Sequence, residues 1–245
     1  MKFQIRLAGV NIAVNSIYDE VFRLCRGYLT EDAPDCFVSV SPADIELERA
    51  RNIREAETEG VSPVNYTDAY LETLAVYRKI AAQMLRFDTV LLHGAVVAVQ
   101  DRAWLFTAPS GTGKTTHIRL WLDNIEGSYV VNGDKPLIRI GEEVTAYGTP
   151  WAGKEGMQKN TGVKLCGIIF LERGEGNSIA RMTFSQMLPA LIQQSYRPNE
   201  KSGLEKTLAL IGKIACCVPL YRLKCNMLPE AALTAYHTLN KDTDH

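Results

Sequence analysis

Three observations predict an α/β protein. Residues 3–14 alternate apolar and polar side chains as paired strands do. Residues 70–85 repeat apolar side chains at three- and four-residue steps, as one helix face does. The apolar run 103–107 leads straight into a glycine-rich loop and then a second helical pattern. Two parts are expected: a small N-terminal α/β element over residues 1–62 and a larger domain over residues 63–245 that carries the glycine-rich loop.

Taken in order, Phe3, Ile5 and Leu7 lie on one face of a first strand, and Ile12 and Val14 follow Gly9 on a second. Ile17, Val21, Leu24 and Tyr28 have helical spacing, and residues 36–40 read as another short strand. Residues 44–62 are charged and lack clear apolar periodicity, which leaves a loop, a strand with a solvated face or a mobile connection. Tyr70, Leu74, Tyr77, Ala81, Met84 and Leu85 then form one apolar helix face, with Thr67 as a cap. Strands are expected at 90–92, 95–99, 103–107, 128–131, 137–140 and 164–171. Helical stretches follow through Phe184, Leu188 and Leu191, and through Leu204, Leu208, Ile211 and Ala215. A late strand at 221–225 and a closing helix at 229–239 complete the pattern.

Composition excludes some classes of function. Apolar residues make up 46% of the 245 and the formal net charge is −1, so a sizeable core is expected without the basic bias of a nucleic-acid binder. No apolar run approaches the roughly 20 residues of a membrane span, and the first residues lack the architecture of a signal peptide. A cytoplasmic protein with no membrane association is expected. The six cysteines form no C-x-x-C pair and are expected as buried thiols rather than disulfides or metal ligands.

The segment Ala108-Pro109-Ser110-Gly111-Thr112-Gly113-Lys114-Thr115-Thr116 matches the P-loop pattern, with alanine at the first glycine position. Its glycines let backbone N–H groups turn inward on phosphates, and the following helix adds the positive end of its dipole. Lys114 would bridge β- and γ-phosphates, the Thr115 hydroxyl would ligate magnesium, and Thr116 would support the first helical turn. A glycine-rich turn ahead of a helix is the plain alternative, but Gly-Lys-Thr-Thr directly after a strand is the phosphate-binding arrangement.

Three further segments stand out. His93-Gly94 follows an apolar strand; alone, such a histidine is as readily packed or exposed as functional. Asp134, at the end of the strand after the loop's helix, sits where a carboxylate holds magnesium or its water, although Asp is also common in turns. The run Gly148-Thr149-Pro150-Trp151-Ala152-Gly153-Lys154-Glu155-Gly156 reads as a surface loop with a functional tip, or as a structured turn.

Together, His93-Gly94, the Ser110 to Thr115 loop, Asp134 and the Trp151 to Glu155 loop resemble the HPr kinase/phosphorylase family and its phosphoenolpyruvate-carboxykinase-type relatives. The run from Leu105 to His117 is most similar to HPr-kinase-like proteins associated with modified-peptide gene clusters. The resemblance covers roughly residues 66–200. It implies the P-loop fold of the HPr-kinase C-terminal domain and of phosphoenolpyruvate carboxykinase, a two-sheet α/β core, with the small N-terminal element added. It also implies ATP, Mg2+ and phosphoryl transfer to a hydroxyl. By the same resemblance His93 lies near the transferred phosphate, Asp134 is a magnesium ligand or the base, and Lys154 and Glu155 flank the acceptor. Ser110, Gly111, Thr112, Gly113, Lys114, Thr115 and Thr116 would hold the nucleotide. Arg197 would contact phosphate, or be a salt-bridged surface arginine. The family carries two adjacent aspartates where this chain has Gly133-Asp134, so Glu155 or His93 would have to serve if Asp134 is taken by the metal.

Three functions follow as expectations. One is a kinase acting on a serine or threonine of a peptide or small protein. The second is a small-molecule kinase. The third, suggested by Gly133, is a nucleotide sensor without turnover. The acceptor and the oligomeric state have no sequence signature.

Overall fold

The computed structural model describes residues 1–109 and 111–243. It divides into two compact units, residues 1–84 and 85–245. The boundary expected at residue 62 therefore lies later, after the long helix. That helix spends its buried face on the first unit, so it belongs there and not to the domain with the glycine-rich loop.

In the first unit, strands β1 (Lys2–Leu7) and β2 (Val10–Asn15) form the expected hairpin, turning at Ala8 and Gly9. Strand β3 (Cys36–Ser39) adds in parallel to β2. Between them the helical spacing from Ile17 yields only a short helix, α1 (Glu20–Leu24), and one 3₁₀ turn. The charged segment that lacked periodicity is in fact a helix, α2 (Pro42–Glu59). Its ends explain it. Ser41 and Asp44 close a capping box, Pro42 occupies the first turn, and Gly60 ends the helix in the left-handed conformation. Helix α3 (Asp68–Met84) stands where expected, and Thr67 Oγ1 accepts from the Tyr70 amide at 3.2 Å. Its inward face keeps Tyr77, Ala81 and Met84 of the expected stripe and adds Leu71, Val76 and Ile80, while Tyr70 is exposed.

The second unit is built on one nine-stranded mixed sheet. Strands β4 (Thr89–Leu91), β5 (Ala95–Val99), β6 (Arg102–Thr107), β7 (Ser128–Asn132) and β8 (Leu137–Ile140) fall where the sequence places them. The sheet also contains β9 (Val144–Tyr147), β10 (Gly162–Arg173), β11 (Ser178–Met182) and β12 (Leu220–Cys225). Where two sheets were expected, hydrogen bonding joins all nine strands, because the 12-residue β10 pairs with β9 at its start and with β12 along its second half. Strands β6, β10 and β12 run parallel, so their C-terminal ends emerge together.

Helices cover both faces of this sheet. Alternate residues of β6 point to opposite sides, as strand geometry requires. Ala103 and Leu105 join a core with Leu191 of α5 (Phe184–Gln194) and Ile211 of α6 (Lys201–Cys217). Trp104 and Phe106 join a second core with Trp121 of α4 (Lys114–Asn124) and Ala235 of α7 (Pro229–Thr243). Burial on both sides is why β5 and β6 read as continuous apolar runs. All six cysteines are free thiols. Cys216 and Cys217 are exposed at the end of α6 rather than buried as expected. Among the described residues, no helix is long and apolar enough to cross a membrane.

Candidate functional site

The glycine-rich loop leaves the end of β6 and enters α4, the strand–loop–helix order predicted for it. Gly113 caps the helix at φ 117°, a conformation that a side chain disfavours, and α4 starts there, where its first N–H groups have no carbonyl one turn earlier in the helix to bond. Lys114 Nζ folds onto the Ala108 carbonyl at 2.8 Å. Burial lowers the Lys114 pKa, and Asp134 opposes that shift. Arg173, at the end of β10, donates from Nη2 to the Gly111 carbonyl at 2.6 Å and from Nε to the Thr112 carbonyl at 3.4 Å. It thereby ties the loop to the neighbouring strand. Ser110 lies outside the described residues.

A cavity of about 430 Å³ opens beside the loop, and His93, Lys114, Thr115, Asp134, Lys154 and Glu155 all reach its wall. The fold thus gathers side chains from four separate segments. Asp134 is aimed by its own strand end. Asn132 Oδ1 accepts from the Asp134 and Lys135 amides at 2.9 and 2.7 Å, an Asx turn, while Asn132 Nδ2 donates to the Thr149 carbonyl at 3.0 Å. Asn132 is fully buried, so this network is shielded from water and joins the end of β7 to the loop that follows β9.

His93 is fixed from several sides. Its amide donates to the Gln194 carbonyl at 2.7 Å, and Thr107 Oγ1 donates to its carbonyl at 2.6 Å. Its ring spans two partners: Nε2 lies 3.1 Å from Asp134 Oδ1, and Nδ1 lies 2.8 Å from Gln194 Oε1. Both ring nitrogens therefore have a hydrogen-bonding partner, and the tautomer sets which of them donates. Burial pushes the Asp134 pKa up, but the His93 hydrogen bond and the charge of Lys135 outweigh it and hold the carboxyl below its ordinary value. Lys135 Nζ lies 3.4 Å from Asp134 Oδ2.

Several expectations are modified. Glu155 stands at the rim, but its carboxylate pairs with Arg119 Nη2 at 2.5 Å and is not turned to His93 or Asp134. It is therefore not placed as the base. Arg197 is exposed and lines neither cavity at the loop. The contact from that segment comes from Gln194, where α5 ends and the chain clasps β4 through the Tyr196 amide and the Leu91 carbonyl at 2.9 Å. At Gly133 a Cβ would stand 2.8 Å from the Ala152 carbonyl oxygen, so no second acid fits there without moving the 152–157 loop. Thr112 and Thr116 face a second cavity, on the other side of the loop.

That second cavity, of about 440 Å³, lies between the loop and the ends of β10 and β12, with Leu171, Arg173, Cys225 and Met227 in its wall. His117 also lines it and is 3% exposed. Its Nε2 accepts from Trp121 Nε1 at 3.0 Å, its pKa is pushed down to about 4 by burial, and its Nδ1 is buried with no hydrogen-bond partner. Sequence reasoning missed Gln194, Asn132 and Arg173. Only Asn132 carries a local signal, an Asn two residues before the key Asp.

No protein-family model matches this sequence, and no curated protein matches it. Among solved structures, the chain is similar to the HPr(Ser) kinase/phosphatase from Coxiella burnetii at 13% sequence identity. The match covers 62% of this chain and 98% of that one, with a TM-score of 0.37. The mixed α/β fold therefore rests on the strands and helices described above.

Proposed function

We propose that this protein is an ATP-dependent kinase that transfers the γ-phosphoryl group to a serine or threonine hydroxyl of a peptide or small protein. One observation carries the reading: Lys114 and Thr115 of the glycine loop share a single cavity with the Asp134–His93 pair. Phosphates held by the loop's N–H groups, by the start of α4 and by Lys114 would thus end beside an ionised carboxylate. The acceptor oxygen attacks the γ-phosphorus, the bond to the β-phosphate oxygen breaks, and the nucleoside diphosphate leaves. The hydroxyl proton passes to the Asp134 carboxylate, whose charge His93 and Lys135 maintain. Gln194 keeps His93 in register with that carboxylate.

The donor set fits magnesium. Among the described residues no cluster of three or more His, Cys, Asp or Glu stands ready to hold a metal. Thr115 would instead hold the ion directly and Asp134 through a water, which leaves the Asp134 carboxylate able to take the proton. Magnesium suits such a site, because it keeps several waters and takes its other ligands from phosphates. When bound, it supplies charge neutralisation on the phosphate oxygens. The exposed tip of the loop at Gly153, Lys154 and Glu155 lines the same cavity and offers the acceptor its approach. A second reading, a nucleotide sensor without turnover, is favoured by the crowding at Gly133, which leaves Asp134 without an acidic neighbour.

The test is a titration with ATP and Mg2+ of the wild type, Lys114→Ala and Asp134→Asn, with ATP consumption followed in the presence and absence of serine-bearing peptides. Binding that needs Lys114 and turnover that needs Asp134 are expected. Tight binding with no turnover on any acceptor would select the sensor. No binding would end both readings. Gly133→Asp is expected to disrupt the site through the Ala152 carbonyl rather than to raise activity.

A further inference from the structure

We propose that the second cavity holds the nucleoside half of the triphosphate, gripping the base by apolar contact and therefore distinguishing adenine from guanine only weakly. This rests on the reading of the loop as a phosphate cradle. The two cavities share Gly111 and Gly113 in their walls and little else. A triphosphate whose terminal phosphoryl faces Asp134 must cross those glycines, and what lies beyond them is this second cavity. Its place agrees with a general rule for open α/β sheets, that ligands bind beyond the carboxyl ends of parallel strands. Here those strands are β6, β10 and β12. Its volume of about 440 Å³ lies within the ~300–1,000 Å³ of small-molecule sites.

The wall supplies apolar surface. Leu171 is buried in the floor, Cys225 stands beside it, and Met227 is 75% exposed at the mouth. Met227 is carried on a braced turn. Asn226 receives the Leu228 amide on Oδ1 at 3.0 Å, donates from Nδ2 to the Glu175 carbonyl at 3.0 Å, and donates its own amide to Asn177 Oδ1 at 3.0 Å. A flexible, polarisable thioether on a rigid turn suits the face of a base. Four polar side chains of the wall are already engaged: Asn226 in its turn, Arg173 on the loop carbonyls, Glu172 with Arg222 at 3.1 Å, and Thr112 with the Pro109 carbonyl at 2.8 Å. Two donors at the start of α4 face the same cavity, the buried His117 Nδ1, which has no partner, and the Thr116 hydroxyl, both near where a phosphate or ribose oxygen would lie. Such a wall reads the shape of a purine and not its hydrogen-bonding edge. Apolar pockets discriminate far less than pockets built to pair polar groups.

The test is calorimetric titration of the full chain, with Mg2+, by ATP, GTP and inorganic tripolyphosphate, using the wild type, Met227→Ala and Met227→Asp. Met227 is exposed, so neither change threatens the fold. ATP and GTP are expected to bind within about tenfold of each other. Met227→Asp is expected to weaken both by about tenfold while leaving tripolyphosphate unaffected. Unchanged ATP affinity in Met227→Asp, or tripolyphosphate binding as tightly as ATP, would overturn the assignment and leave the phosphate cradle standing. A preference above about 100-fold for one purine would overturn the weak discrimination. Failure of all three probes to bind the wild type would instead overturn the cradle, and this inference with it.

Discussion

Each unit holds a partnered carboxylate, and the two units treat them differently. In the first, Glu72 on α3 is fully buried and accepts the Ile17 and Tyr18 amides at 2.5 and 2.8 Å. Glu48 on α2 is 4% exposed and receives Arg51 Nη1 and Arg78 Nε at 2.8 Å each. Each oxygen there has a fixed partner. In the second unit Asp134 keeps 29% of its side chain open to a cavity, with Oδ1 on His93 and Oδ2 only loosely approached by Lys135. A carboxylate with both oxygens saturated holds structure together, because all its hydrogen-bonding capacity is used inside the fold. One that is ionised, anchored on one side and open on the other has capacity left for a ligand.

Substitutions at three positions break or sharpen that contrast. Asp134→Asn is expected to lower phosphoryl transfer by about 10³, while its unfolding free energy, read from a urea titration, stays within about 1 kcal/mol of wild type. A large loss of stability would place Asp134 with the structural carboxylates. Glu72→Leu is expected to do the reverse. It leaves two amides without their charged acceptor, at a cost of roughly 3 kcal/mol, read as a lower urea midpoint, with ATP binding intact in the folded protein. Retained stability would show that water replaces the carboxylate. Gln194→Leu is expected to give the smallest effect, about a tenfold loss of turnover with its pH–rate profile altered. Gln194→Glu, which keeps an acceptor for His93 Nδ1, is expected to recover most of the rate. Equal losses in both variants, with an unchanged profile, would reduce Gln194 to a packing role.

The contrast also separates what a local pattern encodes from what it cannot. The charged stretch of α2 was unreadable by periodicity, yet Ser41, Pro42, Asp44 and Gly60 spell its two ends. Its stability comes from caps and from Glu48 rather than from an apolar stripe, so a search for stripes passes over it. Strands β9 and β11 were missed for a related reason, since each is short and gains its place by pairing with a neighbour. At the site, Arg197 was the residue expected from its segment, whereas Gln194, three positions earlier, makes the contact. The chain leaves α5 at Gln194 in extended form and pairs with the end of β4 at Leu91 and Leu92, and only that pairing decides which residue faces His93.

By itself the sequence determined the α/β class, most of the strands, the long α3 helix and the glycine-rich loop between β6 and α4. These are contiguous patterns in which glycine conformation, capping and apolar alternation act over a few residues. The tertiary structure decided the rest: that nine strands form one sheet through β10, that α3 belongs to the first unit, and that Asp134, His93 and Gln194 meet in a line. Those three residues come from the turn after β7, the β4–β5 link and the end of α5. Their distances depend on how sheet and helices pack, a property of contacts between distant segments that no local spacing records.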